Sequence, residues 1–193
     1  MPSLSEADQR AALQLARTAV VEAVSHRQPP SEFPREGIFA ERRSVFVTLH
    51  VGKRLQGCIG VIEANEPLGE TIVRCAASAA LEDPRFAPMR TDQLGELSIE
   101  ISLLSPMEPI APESIEIGHH GLFVRLHAQR GLLLPQVAIE HRLTRDQFLE
   151  ETCRKAGLPR EAWRDPKAHL FGFTCEVISE SSLRGGTEGS GRA

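Results

Sequence analysis

The residues best suited to chemistry in this sequence lie in one short stretch, Leu55–Gly60, which reads Leu-Gln-Gly-Cys-Ile-Gly. Cys58 stands between Gly57 and Gly60. Glycine is used where a backbone bends sharply or where another group approaches it closely. A thiol in this setting could be a nucleophile if a cation, a histidine or a helix N-terminus favours its ionised form. The alternative is a small buried residue without chemistry.

Three polar residues outside this stretch are further candidates. Glu100 lies mid-strand on the face opposite the apolar residues, where it could act as a base or ligand or could simply be solvated. Arg85 follows Asp83 in a predicted turn, so it could bind an anion bidentately or hold the turn through Asp83. Gln136 emerges at a predicted strand end, where it could bind a ligand or cap the start of a helix.

The other cysteines are typical of structural residues. Cys75 and Cys153 lie on the apolar faces of predicted helices, and Cys175 lies on the apolar face of a predicted strand over 170–178. The sequence contains no C-x-x-C, H-x-x-x-H or H-E-x-x-H pattern and no phosphate-binding glycine loop. We therefore expect neither a metal nor a cofactor.

A predicted hairpin positions Cys58. Residues Val45–Val51 are rich in β-branched side chains, and a two-residue turn led by Gly52 joins them to a second strand, Arg54–Ile62. An uninterrupted register pairs Val51 with Arg54, Leu49 with Gln56 and Val47 with Cys58. This register places Cys58 on the buried face and favours a structural role for its thiol.

The remaining pattern predicts the fold class. A helix capped by Asn65, with Pro67 in its first turn, carries a run of small residues at 76–80 that allows close packing on a sheet. Residues Leu97–Leu103 alternate as a half-buried strand. Because helices are mixed with hairpins, we predict an α+β fold with mostly antiparallel sheet.

Composition limits the classes of protein to consider. With 193 residues and a net charge of −4, the chain fits one domain over residues 1–180 and lacks the basic field that nucleic acids require. Its Ser/Gly-rich end, 181–193, is predicted to be a disordered tail. We see no apolar run of about 18 residues and no signal peptide, so we expect a cytoplasmic protein, away from membranes, with reduced thiols.

Taken together, these motifs resemble the AMMECR domain family, whose bacterial and archaeal members are called AmmeMemoRadiSam system protein A. The family hexapeptide reads Leu-Arg-Gly-Cys-Ile-Gly, so Gln56 stands here in place of its arginine. The resemblance runs from about Ala7 to Glu180. Further matching segments are Ala79–Ala80 with Asp83–Phe86, Leu97–Ser105, Gly131–Ala138 and Cys153–Trp163.

The resemblance implies a fold and a set of partners. It implies a single AMMECR-type domain of α+β fold in two lobes around a cleft, and the two lobes could be intertwined. The family's activity is unsettled, and its genes often travel with those for a Memo-like protein and a radical SAM protein, which implies a shared pathway. The loss of the hexapeptide arginine at Gln56 removes a charge that could serve an anionic ligand or the thiol.

Two functional hypotheses follow. The favoured one is a cytosolic binding or scaffold component that acts with the Memo-like and radical SAM partners, because no nucleophile–base pair is visible in the sequence. The alternative is an enzyme or acceptor protein that uses Cys58 as nucleophile and Glu100 as acid, base or hydrogen-bonding partner in a cleft that binds an unknown small molecule. The residues predicted to bind the ligand are Gln56, Gly57, Gly60, Asp83, Arg85 and Gln136.

Overall fold

The computed structural model describes residues 4–26, 28 and 33–185. It divides into two compact units, one formed by Met1–Leu103 with Glu176–Ala193 and the other by Leu104–Cys175. Two antiparallel sheets and several helices confirm the predicted α+β class. None of the helices in the described residues combines the length and apolar composition needed to span a bilayer. The cleft that the resemblance implies stays a prediction.

The elements follow the chain in a mixed order. The helices are α1 Glu6–His26, α2 Leu68–Leu81, α3 Pro135–Glu140, α4 Arg145–Lys155 and α5 Glu180–Gly185. The strands are β1 Val45–Val51, β2 Arg54–Val61, β3 Leu97–Leu104, β4 Glu108–Pro109, β5 Gly121–Leu126, β6 Gln129–Leu133, β7 His169–Phe173 and β8 Cys175–Ser179. Short 3-10 helices cover Gly37–Ala40, Thr91–Glu96, Pro112–Ser114 and Arg160–Arg164. The predicted tail therefore begins inside α5, and 186–193 lie outside the described residues.

The sheet of the first unit has the strand order β2-β1-β3-β8, which makes β2 an edge strand. Helices α1 and α2 pack on each other, and α2 packs on β1 and β2. Val45, Val47 and Leu49 of β1 are fully buried in this core. Since successive side chains of a strand alternate, Thr48 and His50 lie on the opposite face of the sheet.

The start of α2 differs from the prediction. Pro67 occupies the N-cap position, and the amide of Leu68 donates a hydrogen bond to the carbonyl oxygen of Glu41 at 2.7 Å. A backbone carbonyl from a distant segment thus satisfies the helix start, and the predicted Asn65 cap is wrong.

The sheet of the second unit has the strand order β4-β7-β5-β6. The single strand predicted over 170–178 is wrong. The strand is interrupted at Thr174, and the segments before and after it, β7 and β8, belong to different sheets. Two hydrogen bonds with Ser105 stabilise the backbone at this interruption. The Ser105 amide donates to the Thr174 carbonyl, and the Ser105 hydroxyl accepts from the Thr174 amide, both at 2.9 Å. Cys175, predicted to be buried beside the phenylalanines of 170–178, instead starts β8 and is only half-buried.

Candidate functional site

A β-bulge decides which way Cys58 faces. The hairpin turn is as predicted, with Val51 opposite Arg54 and Gly52 at a φ of 59°. The pairing then shifts between Leu49 and His50, so that Gln56 is an extra residue in β2. Beyond the bulge, Leu49 pairs with Gly57, Thr48 with Cys58 and Val47 with Ile59.

The predicted register and the buried position of Cys58 are therefore wrong. Cys58 lies on the face of Thr48, opposite the α2 side of the sheet, and the residue is half-buried. The Thr48 hydroxyl donates a hydrogen bond to Cys58 Sγ at 3.3 Å. The site therefore contains a thiol on an edge strand that accepts a hydrogen bond from the Thr48 hydroxyl.

Glu100 completes a row across three strands. Thr48 pairs with Cys58 on one side and with Glu100 of β3 on the other. We call Cys58, Thr48 and Glu100 the Cys58 row. Adjacent strands lie about 4.8 Å apart, so the Cα atoms of Cys58 and Glu100 are separated by about 10 Å. The prediction that Glu100 lies on the face opposite the core residues is confirmed. Thr48 lies between Glu100 and Cys58 in this row.

Two side chains bind the backbone of Cys58 where the sheet ends. The Cys58 amide donates to Asp83 Oδ2 at 2.9 Å, and the Cys58 carbonyl accepts from Arg85 Nη2 at 3.0 Å. An edge strand normally exposes such groups to solvent or to another strand. Asp83 and Arg85, which we call the clamp, take the place of that missing strand and fix Cys58 in the sheet plane.

The clamp is itself a bidentate ion pair. Arg85 Nε donates to Asp83 Oδ1 at 2.9 Å, and Nη2 donates to Oδ2 at 2.6 Å. The Asp83 side chain is 2% exposed, whereas that of Arg85 is 53% exposed. The hydrogen bond from Arg85 holds the pKa of the Asp83 carboxyl well below its usual range. Asp83 likewise raises the pKa of Arg85, and the nearby Cys58 thiol contributes in the same direction.

The three residues of the hexapeptide that were predicted to bind a ligand have packing roles in the structure. The Gln56 side chain is nearly buried, and its Nε2 donates to the Ala87 carbonyl at 2.8 Å. A Cβ on Gly57 would overlap the Ala79 carbonyl of α2, and one on Gly60 would overlap the Phe46 ring. The groups that approach the backbones of these glycines closely are therefore α2 and the Phe46 ring. Ligand binding by Gln56, Gly57 and Gly60 stays a prediction.

Gln136 is not part of this cluster. It is the second residue of α3 and half-buried, and it belongs to the second unit. Leu134 occupies the N-cap position of α3 and no side chain caps this helix, so the predicted cap role of Gln136 is wrong. A ligand contact by Gln136 stays a prediction.

Comparison with known proteins gives the family. A sequence model described as AMMECR1 matches residues 13–178. The chain belongs to the AMMECR1 family. Related proteins occur in Thermococcus gammatolerans, at 41% identity over 90% of both chains, and in Methanothermobacter thermautotrophicus, at 38% identity over 92% of this chain and 96% of the other. An uncharacterized Pyrococcus horikoshii protein of known crystal structure is similar, with a TM-score of 0.83, 34% identity and coverage of 90% and 92%.

Two polar residues of the AMMECR1 domain near Cys58 were not predicted from the sequence. Thr48 touches the sulfur, and His50 follows on the same face of β1, about 6.8 Å further along the strand. Alternation in β1 already placed both opposite the core residues. They were not connected with Cys58 because the uninterrupted register put the thiol on the other face.

The other thiols of the AMMECR1 domain have different surroundings. Cys75 and Cys153 are fully buried. Burial raises the pKa of the Cys75 thiol to about 11 and also raises the pKa of Cys153. Among the described residues, no group of three or more histidine, cysteine, aspartate or glutamate side chains is arranged to hold a metal ion.

Proposed function

We propose that Cys58 is a reactive thiol and that the protein is a thiol-dependent acceptor or group-transfer component of a modification system. The observation that carries this proposal is the hydrogen bond from the Thr48 hydroxyl to the sulfur of a half-buried cysteine on the face opposite α2. A sulfur that accepts a hydrogen bond and lies near a guanidinium is placed to act as a nucleophile.

The neighbouring groups support this role by position and charge. The clamp fixes the Cys58 backbone, so the sulfur is held by a rigid strand rather than by a loop. Arg85 is half exposed, and within the described residues its Nη1 atom makes no hydrogen bond. Arg85 therefore has one amino group left to bind an anionic group of a substrate.

The reaction that this arrangement would perform is a simple displacement or acyl transfer. The sulfur attacks an electrophilic carbon and forms a C–S bond, while the leaving group departs with its electron pair and the thiol proton passes to solvent. Glu100, two strands from Cys58, would hold or move a proton on the bound substrate rather than on the sulfur.

The partners of this component are proposed from the family resemblance. We infer that it acts in the cytoplasm with a Memo-like protein and a radical SAM protein, one of which supplies or removes the group carried by Cys58. Co-purification of these proteins with the wild type and with a Cys58→Ser variant tests this proposal. If both proteins co-purify with the partners but only the wild type carries the transferred group, the acceptor role is supported. If neither protein co-purifies with the partners, the partnership is contradicted.

A non-catalytic binding module is the second candidate. It is favoured by the fact that Gln56, Asp83 and Arg85 all make hydrogen bonds within the chain and hold the hairpin edge together. Under this hypothesis the thiol has no special reactivity, and association with a partner survives its replacement.

Replacement of the hydroxyl donor distinguishes the two. Thr48→Val removes the hydrogen bond to Cys58 Sγ with little change in side-chain volume. Thr71→Val is the control, because the Thr71 hydroxyl donates to the carbonyl of Pro67 at the start of α2, away from the sulfur. A hydrogen bond worth about 1 kcal/mol corresponds to roughly a fivefold slower alkylation of Cys58 by iodoacetamide at pH 7 in the first variant. Equal rates in the two variants would contradict the reactive-thiol proposal.

A further inference from the structure

A separate groove lies entirely within the second unit. Its volume is about 660 Å³, which is in the range of small-molecule sites. One part of its lining is apolar and half-buried, and the other part carries titratable side chains. The lining residues are Leu133, Val137, Leu143, His141, Glu151, Arg154 and Lys155.

The fold separates these two parts of the lining. Leu133 ends β6 and Val137 lies within α3. His141 is the C-cap residue of α3. Glu151, Arg154 and Lys155 belong to the last turn and a half of α4 and share one face by the same spacing. The groove thus has an apolar wall and a charged wall made by different elements.

The charged wall has an excess of positive charge. Glu151 is engaged by two arginines, with Arg154 Nη2 at 2.6 Å and Arg160 Nη2 at 3.8 Å. Within the described residues, neither the Lys155 ammonium nor the His141 ring makes a hydrogen bond or ion pair. Lys155 is therefore the cation of this wall that is open to a ligand anion.

We infer that the groove binds a small amphipathic carboxylate, with its head at Lys155 and its acyl chain along Leu133, Val137 and Leu143. The ammonium of Lys155, an exposed residue that lines the groove beside the apolar wall, can pair with an anion. The half-buried aliphatic side chains gain by covering a hydrocarbon chain. Glu151 is paired with Arg154, and Arg160 is shared between Glu151 and Glu150, so Lys155 supplies the positive charge that the head group meets. This ligand site does not depend on the role proposed for Cys58.

Calorimetric titration of the full chain at pH 7 tests the inference, with octanoate as the probe and octylammonium as the comparison of opposite charge. We expect saturable binding of octanoate at one site and at least tenfold weaker binding of octylammonium. Lys155→Glu should weaken octanoate binding at least tenfold. Lys167→Glu, the same charge change at an exposed lysine that does not line the groove, should leave it unchanged.

A second variant keeps the test independent of charge. Val137→Ser should weaken octanoate binding severalfold while leaving the circular dichroism spectrum and melting transition close to those of the wild type, because Val137 is only half-buried. Three results would overturn the inference: no saturable binding of octanoate, equal binding of octylammonium, or equal effects of Lys155→Glu and Lys167→Glu.

Discussion

The carboxylate of Asp83 accepts a hydrogen bond from the amide of Cys58 at 2.9 Å, across 25 residues of sequence. This bond lies at the open edge of the sheet, where Arg85 binds the carbonyl of the same cysteine at 3.0 Å. Two side chains from one turn thus replace a neighbouring strand. The turn after α2 and the cysteine strand therefore form one structural unit, and the predictions below examine its parts.

Asp83→Asn should destabilise the fold. Asp83 is 2% exposed and accepts bonds from Cys58 and from Arg85, so an amide would turn its donor group toward these donors. We expect a loss of about 1–3 kcal/mol in the free energy of unfolding, measured by urea titration. The control is Asp92→Asn, because the ion pair of Asp92 with Arg90 is exposed at both residues. Its loss should change stability by less than about 0.5 kcal/mol, and equal losses in the two variants would refute the clamp.

The clamp also predicts a pH dependence. Because the folded-state pKa of Asp83 is lowered, its contribution is fully present above the unfolded-state value of about 3.9 and is lost as the pH falls further toward the folded-state pKa. The stability difference between the wild type and Asp83→Asn should be constant from pH 5 to 7 and should shrink below about pH 4. A difference that grows on acidification would contradict this sign.

Gly57→Ala should be poorly tolerated. A Cβ at this position would overlap the backbone carbonyl of Ala79, which cannot move without shifting α2. We expect a cost of at least about 2 kcal/mol in thermal or urea unfolding. Gly95→Ala is the matched control, since a Cβ there would meet nothing within 4 Å. Gly95→Ala should change the free energy of unfolding by no more than about 0.5 kcal/mol. A Gly57→Ala variant as stable as the wild type would show that α2 does not pack tightly against the backbone of Gly57.

Cys75 should report global unfolding. Its thiol is fully buried, and burial raises its pKa to about 11. At pH 8 in native buffer we expect no alkylation of Cys75 over hours, and labelling should follow the urea unfolding curve. Labelling well before the transition would indicate local opening of α2 rather than a closed core.

Local signals in the sequence determined the elements, and contacts distant in sequence determined the site. The hairpin turn at Gly52 and the capping box of Thr144 with Gln147 depend only on neighbouring residues, and both could be recognised. The bulge at Gln56 could not be recognised, because the partner of its side chain is the Ala87 carbonyl, 31 residues away. The side of the sheet on which Cys58 lies depends on that one extra residue.

The same distinction explains the other corrections. The break at Thr174 depends on Ser105, 69 residues earlier, and the start of α2 depends on the carbonyl of Glu41. By contrast, the turn that carries Asp83 and Arg85 was expected, and both of its predicted alternatives are compatible with the geometry. Arg85 holds Asp83 with Nε and Nη2, while its half-exposed side chain leaves room for an anion.

The central claim is that the reactivity of Cys58 comes from its surroundings, and the most direct test is the alkylation rate of each cysteine in the native wild type. Iodoacetamide labelling at pH 7, followed by peptide mass spectrometry, measures all four in one sample. Cys175 is the internal control, because it is half-buried like Cys58. We predict that Cys58 reacts at least tenfold faster than Cys175, with Cys75 and Cys153 protected. Labelling of Cys175 as fast as Cys58, or faster, would contradict the claim.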